Sequence, residues 1–119
     1  MSKKKIKITK LERERKALLV LLLNDDELIE GSYSELLVKC GRSGCHCEKK
    51  PIHLVARIGV REDGKIKNKV VRVADREEVK LLTDRYREHK QALRQLNHIN
   101  DEERKIIKEV IKRKNRGYV

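Results

Sequence analysis

Apolar and polar residues recur with two different periods along the chain, and these periods predict its elements. Leu11, Leu18 and Leu22 fall on one face of a helical pattern, among residues of high helix propensity. Residues 11–23 are therefore predicted to form a helix. The lysine-rich residues 1–10 before it are predicted to form a basic arm.

The middle of the chain alternates with a period of two, which is typical of strands. Residues 33–40, 53–60 and 66–73 are predicted to be strands on this basis. Asp63-Gly64 lies between the last two strands and favours the positive φ angles of a tight hairpin turn. We therefore expect a small antiparallel sheet of three strands.

The last third of the chain returns to a helical period. Asp75 is placed to begin one helix, and Asn100 followed by Glu103 is typical of a second helix start. Residues 75–116 are therefore predicted to form a helical hairpin. The first of its helices carries apolar residues at heptad a and d positions, with His89 in the remaining d position. These apolar residues are Val79, Leu82, Tyr86, Leu93 and Leu96.

Three cysteines are clustered between these two halves. Cys40, Cys45 and Cys47 have the spacing C-x4-C-x-C, and an odd number of close cysteines suits a metal site in a reducing compartment better than a disulfide framework. Zn²⁺ takes four S or N ligands in structural sites, and we prefer His53 over His46 as the fourth. The alternatives are reduced cysteines that act as small hydrophobic residues and a catalytic or redox thiol.

These patterns together predict an α+β fold. It has an N-terminal helix, a small three-stranded antiparallel sheet around a zinc-knuckle-like cysteine loop in residues 31–73, and the C-terminal helical hairpin. After the basic arm, residues 11–119 are expected to form a single domain that contains both parts.

The composition narrows the class of protein. Of 119 residues, 42% are charged and 38% are hydrophobic, and Phe and Trp are absent. A small core is therefore expected, and a large cleft lined by aromatic side chains is excluded. The apolar run at 17–23 is too short to cross a bilayer, so we expect no membrane partner and a cytoplasmic location. Many Lys, Glu, Arg and Ile residues also fit a thermophile.

The cysteine segment resembles a known family. The motif C-G-R-S-G-C-H-C at 40–47, followed by His53, is similar to that of short uncharacterised bacterial and archaeal proteins that are often encoded near transposase genes. The resemblance covers residues 31–96 and implies that Cys40, Cys45, Cys47 and His53 are the family's shared site. Where the family usually has Gly-Pro and aromatic residues after the histidine, this chain has Leu54, Val55 and Ala56.

Positive charge is concentrated in three segments. Lys and Arg number 31 against 19 Asp and Glu, a formal net charge of +12, and the excess lies in residues 1–16, 53–73 and 104–116. Such segments can neutralise several phosphates at once. The candidate nucleic-acid-binding residues are Lys3, Lys4, Lys5, Lys7, Lys10, Arg42, Arg57, Lys65, Lys67, Lys69, Arg72, Lys112, Arg113, Lys114 and Arg116.

The leading hypothesis is therefore a small, basic, zinc-stabilised protein that binds nucleic acid mainly through phosphate contacts. Its target is DNA or RNA, including ribosomal RNA, and it acts as a mobile-element accessory or a ribosome-associated factor. An enzyme ranks lowest, because the sequence has no nucleophile elbow, phosphate-binding loop or paired acid motif for catalysis. The alternative hypothesis is an assembly or adaptor protein that forms a homodimer through the helix at 79–96.

Overall fold

The secondary structure follows the predicted order, with different helix boundaries. The computed structural model describes residues 3–39 and 53–118. Its elements are the helix α1 (Lys3–Leu22), the strands β1 (Ser32–Val38), β2 (His53–Glu62) and β3 (Lys65–Val71), a 3-10 turn (Val73–Asp75) and the helix α2 (Arg76–Lys114). The predicted α+β class, with a three-stranded antiparallel sheet between an N-terminal and a C-terminal helix, is confirmed.

The chain divides into two compact units, and the first is a pair of helices. It consists of Met1–Asp26 and Glu88–Val119, and so contains α1 and the second part of α2. Leu11, Ile99 and Ile106 form its buried core, and the more exposed Ile8 and Leu18 pack against them. Ile99 and Ile106 are seven residues apart, so both lie on one face of α2.

Ion pairs fix the direction of the two helices in this unit. Lys4 Nζ lies 3.4 Å from Glu109 Oε2, and Lys7 Nζ lies 3.8 Å from Glu102 Oε2. Farther along α1, Arg15 Nη2 donates to Asn100 Oδ1 at 2.6 Å. Because higher numbers on α1 meet lower numbers on α2, the helices are antiparallel.

The predicted C-terminal helical hairpin does not form, because α2 is one continuous helix of 39 residues. Asn100 was expected to begin a second helix, but its side chain accepts a hydrogen bond from Arg15 of α1 instead. The sequence around it also contains neither Gly nor Pro to break the helix. The hairpin in this unit is the one that α1 makes with α2.

The first helix also begins earlier than predicted. Residues 3–10, expected to be a basic arm, are the first turns of α1. Ile8 packs against the core of the helix pair, and Lys4 is paired with Glu109. These contacts lie on the same face as Leu11, which explains why the helical pattern extends to Lys3.

The second unit, Glu27–Arg87, contains the sheet. Its strand order is β1-β2-β3, and all neighbours are antiparallel. Asp63 and Gly64 join β2 to β3 with φ angles of 51° and 77°, which confirms the predicted two-residue turn. Ala56 and its register partner Val71 are buried, so they mark the inner face of the sheet.

Hydrogen bonds attach the beginning of α2 to other parts of this unit. Ile29 N donates to the Leu82 carbonyl at 3.1 Å, and Arg76 Nη2 donates to the Leu54 carbonyl of β2 at 3.0 Å. The buried Thr83 hydroxyl donates within the helix to the Val79 carbonyl at 2.9 Å. No helix within residues 3–39 and 53–118 is long and apolar enough to cross a membrane.

Candidate nucleic-acid interface

The helix pair brings together two basic segments that are far apart in sequence. Because α1 and α2 are antiparallel, residues 3–10 lie at the same end as residues 105–116, which include Glu109, the partner of Lys4. We call this region the basic end. It contains eleven Lys or Arg residues and one carboxylate, Glu109, so it carries ten of the chain's twelve net positive charges.

The cations of the basic end are mostly uncompensated. Lys4 pairs with Glu109 and Lys7 with Glu102, and both contacts are at the surface, where an ion pair contributes about 0–1 kcal/mol. Eight other cations there form no ion pair or side-chain hydrogen bond within the described part of the chain. They are Lys3, Lys10, Lys105, Lys108, Lys112, Arg113, Lys114 and Arg116.

The sheet carries a second group of cations on the β2–β3 hairpin. Lys65, Lys67 and Lys69 project on the same side of β3 as the buried Val71, because side chains alternate along a strand. Lys67 and Lys69 each lie 3.4 Å from a carboxylate oxygen of Glu62. The carboxylate of Glu62 therefore offsets part of the positive charge of these three lysines.

The arginines of the same hairpin lie on its other side. Arg57 is the register partner of Val70, and Arg61 is the partner of Ile66. Neither arginine forms a side-chain hydrogen bond or an ion pair within the residues that the structure describes. The hairpin therefore presents lysines on one face and arginines on the other.

The predicted nucleic-acid-binding residues thus fall into two groups. Lys3, Lys4, Lys5, Lys7 and Lys10 meet Lys112, Arg113, Lys114 and Arg116 at the basic end, whereas Arg57, Lys65, Lys67, Lys69 and Arg72 belong to the sheet unit. Arg42 lies outside the described residues. The prediction omitted Lys105 and Lys108, which the helical phase of α2 places beside Lys112. It also omitted Arg61 and Asn68, which strand alternation places on the face of Arg57.

One predicted zinc ligand, His53, lies at the end of the sheet where β2 begins. Cys40, Cys45 and Cys47 fall outside the described residues. Val38, the last residue of β1, is the register partner of His53, the first residue of β2. Cys40 follows Val38 by two residues, a span of at most about 7 Å. The pairing of Val38 with His53 therefore brings the two ends of the cysteine segment together. One of these ends, His53, is a predicted ligand.

Metal-ligating groups are sparse elsewhere. Across residues 3–39 and 53–118, no three His, Cys, Asp or Glu side chains are grouped so that they could hold a metal ion. His53 is exposed at the start of β2, and His46 is outside the described residues. The choice between these two histidines as the fourth ligand stays open.

The predicted dimer seam on α2 is partly used inside the chain. Val79, Leu82, Tyr86 and Leu96 are half-buried, and the Tyr86 hydroxyl donates to Glu30 at 3.4 Å. The buried residue in the next position is Ala92, 3% exposed, whereas Leu93 is 52% exposed. After His89 the buried stripe on α2 therefore passes through position 92 and not through position 93. Dimerisation through this helix stays a prediction.

Comparison with known proteins identifies the family of the chain. The sequence model of DUF6788, a domain of unknown function, matches residues 6–81. The chain belongs to the DUF6788 family. The matched DUF6788 region includes α1 from Ile6 onward, the cysteine segment, the whole sheet and the start of α2. Neither a curated protein nor a solved structure gives a significant match.

Proposed function

We propose that this chain is a non-enzymatic nucleic-acid-binding protein whose basic end contacts phosphates. The observation that carries the proposal is the antiparallel helix pair, which joins two cationic segments at one place, with Glu109 inside these segments and Glu102 in contact with Lys7 as the two paired carboxylates. Nucleic-acid phosphates are the polyanion that such a field attracts, and each neutralised phosphate releases counterions. Scattered lysines that only maintain solubility would not need to converge.

The proposal predicts steep salt dependence, which a titration measures directly. Fluorescence anisotropy with labelled 30-base-pair DNA and double-stranded RNA is recorded from 50 to 200 mM salt. A site with about six to ten phosphate contacts loses roughly 10³- to 10⁵-fold in affinity over this range. Absence of binding at 50 mM salt to either duplex would refute the proposal.

Charge-matched variants locate the contact surface. Lys3→Gln, Lys10→Gln and Lys112→Gln together remove three cations from the basic end. Each lost phosphate contact should reduce the magnitude of the salt slope by about one. The control removes three exposed cations elsewhere, as Lys16→Gln, Lys80→Gln and Arg94→Gln, and should leave the slope nearly unchanged. Equal slopes for both triple variants would contradict binding at the basic end.

We also propose that Zn²⁺ stabilises the cysteine segment through Cys40, Cys45, Cys47 and His53. The Val38–His53 register pair supports this, because it holds the two ends of the segment together and brings the chain on either side of the loop to one edge of the sheet. A closed site with four protein ligands supplies folding free energy and leaves no position for a reacting water. Elemental analysis of the purified chain should find one zinc per molecule.

A homodimer that assembles through the helix at 79–96 is the second candidate. It is favoured by Leu93, which lies at a predicted seam position and is half-exposed. Sedimentation equilibrium tests it with Leu93→Arg, since this substitution places a charge on an exposed position without removing a core residue. A dimer that becomes a monomer supports the adaptor function, and a wild-type monomer at all concentrations excludes it.

A further inference from the structure

The outer face of the β2–β3 hairpin exposes Arg and Asn side chains, which are of the types that can form hydrogen bonds with bases. β1 pairs with β2 only as far as Gly59, so the hairpin continues beyond it as a two-stranded ribbon. The face opposite Ala56 is open to solvent, with Ile66 68% and Val70 72% exposed. We call this surface the ribbon face. Its members are Arg57, Gly59 and Arg61 on β2, and Ile66, Asn68 and Val70 on β3.

Gly59 shapes the centre of the ribbon face. Its register partner is Asn68, and a Cβ at position 59 would lie only 3.2 Å from Asn68 Oδ1. The missing side chain therefore lets the Asn68 amide lie over β2, between Arg57 and Arg61. Asn68, like the two arginines, forms no side-chain hydrogen bond within the described residues. All three polar groups are available to an external partner.

The chemistry of the ribbon face matches base edges rather than phosphates alone. Arg forms two hydrogen bonds with guanine, Asn forms two with adenine, and apolar side chains contact the thymine methyl group. Arg57 and Arg61 are four residues apart, a rise of about 13 Å along a strand. At 3.4 Å per base pair, that rise corresponds to about four base pairs.

We propose that the ribbon face reads base edges in the major groove of double-stranded DNA. The major groove admits a two-stranded ribbon. β2 and β3 carry all of these side chains, with Arg61 and Ile66 on the two-stranded part and the others where β1 flanks β2. This inference rests on the proposed function, because the basic end supplies most of the affinity through phosphates. The ribbon face adds the preference for a sequence.

Two properties of the chain favour duplex DNA over RNA. The major groove of A-form RNA is too narrow for side chains to read, so the ribbon has no groove to enter there. Recognition of single strands relies on aromatic side chains that stack on bases. The chain has neither Phe nor Trp, and Tyr33 is paired with Ile58, on the inner face of the sheet.

Selection from a randomised pool tests the inference with the full chain. A pool of duplexes with a random 12-base-pair core is selected in parallel with a pool of single-stranded RNA. We expect a motif of about four base pairs, with guanine and adenine positions, and roughly 5- to 150-fold weaker binding for each base pair changed. Duplex binding without any enriched motif would refute base reading and leave the proposed function intact, whereas no binding to either pool refutes both. Enrichment in the RNA pool alone would overturn the choice of DNA.

Charge-preserving variants separate base reading from electrostatics. Arg57→Lys with Arg61→Lys keeps both charges but removes the planar fork that pairs with guanine. We expect the motif preference to fall about tenfold or more while binding to random duplex stays unchanged. Lys65→Arg with Lys67→Arg, on the inner face of the same hairpin, is the matched control and should retain the motif. Loss of preference in the control, or its retention in the first variant, would contradict the assignment.

Discussion

The helix pair and the sheet unit carry their cations in opposite ways. At the basic end, long side chains from two helices accumulate charge, and two of them, Lys4 and Lys7, pair with the carboxylates of Glu109 and Glu102. On the ribbon face, Arg57 and Arg61 occupy positions fixed by the strand register, with Asn68 between them. The basic end has a high charge density, which increases affinity for any polyanion. The ribbon face has a fixed geometry, which is the property needed to distinguish one nucleotide sequence from another.

The two units also bury different kinds of residue. The helix pair buries Leu11, Ile99 and Ile106 as well as Ala92, whereas the sheet unit buries Ala56, Val71 and Thr83, which are all smaller than Leu or Ile. The whole sheet and the cysteine segment lie within the family match at residues 6–81, but the C-terminal half of the basic end lies beyond it. The two units should therefore respond differently to substitution.

The largest effect is expected from the cysteine segment and should be confined to the sheet unit. Cys45→Ser, or removal of Zn²⁺ by a chelator, should lower the free energy of unfolding of that unit by about 4 kcal/mol or more, because metal binding is coupled to folding. Hydrogen exchange is the measurement. Amides of β1 and β2 should lose protection while those of α1 keep it.

The same experiment decides between the two histidines. Ser43→Ala lies in the same segment, has no predicted ligand role and serves as the control. His53→Ala should reproduce the effect of Cys45→Ser if His53 is the fourth ligand, and His46→Ala should do so if His46 is. Unchanged protection in the cysteine variant would contradict a structural metal.

Truncation of a core isoleucine should have the next largest effect, in the helix pair. Ile106→Ala removes a side chain that is 7% exposed and packs with Leu11 and Ile99, at a cost of about 3 kcal/mol. The adjacent Ile107 is 50% exposed, so Ile107→Ala should cost less than about 1 kcal/mol. Urea unfolding followed by circular dichroism measures both. Equal losses would contradict the buried stripe assigned to α2.

The sequence predicted the sheet well because its signals are local. All three strands lie within two residues of the predicted ends, and the turn forms at Asp63-Gly64 as expected. A two-residue turn fixes the register of its hairpin, so the shared face of Arg57 and Asn68 also followed from the pattern. Charge alone does not identify that face, because Asn68 at its centre is uncharged.

The sequence predicted the helices less well because their limits depend on distant partners. α2 continues through Asn100, whose side chain accepts a hydrogen bond from Arg15, a residue 85 positions away, and does not cap a new helix. Likewise, both basic segments were found from composition, but their meeting at one end needed the antiparallel pairing of α1 and α2. The metal ligands stay a prediction, since the cysteines lie outside the described residues.

Enlargement of a buried alanine should disturb the sheet unit at an intermediate level. Ala56 has no exposed surface, so Ala56→Leu forces three extra carbons into a filled space and should cost about 2 kcal/mol. The same chemical change at the exposed Ala17 of α1 should cost less than about 0.5 kcal/mol. Thermal unfolding of both variants gives the difference. A stable Ala56→Leu protein would indicate unfilled space beneath the sheet.

The smallest effect, at the hairpin turn, connects stability to the ribbon face. Gly64 has a φ of 77° and no atom near its Cβ position, so Gly64→Ala should cost about 1 kcal/mol from backbone conformation alone. Asp63→Gly, which relaxes the other positive φ, should be neutral within about 0.5 kcal/mol. Because a slip of one residue between β2 and β3 would move Asn68 to the face opposite Arg57 and Arg61, duplex selection with Gly64→Ala also tests the register. If the Gly64→Ala hairpin is less stable but correctly paired and still selects the motif, the strand register determines which sequence is bound. If the motif is lost although the pairing is unchanged, the rigidity of the hairpin determines it.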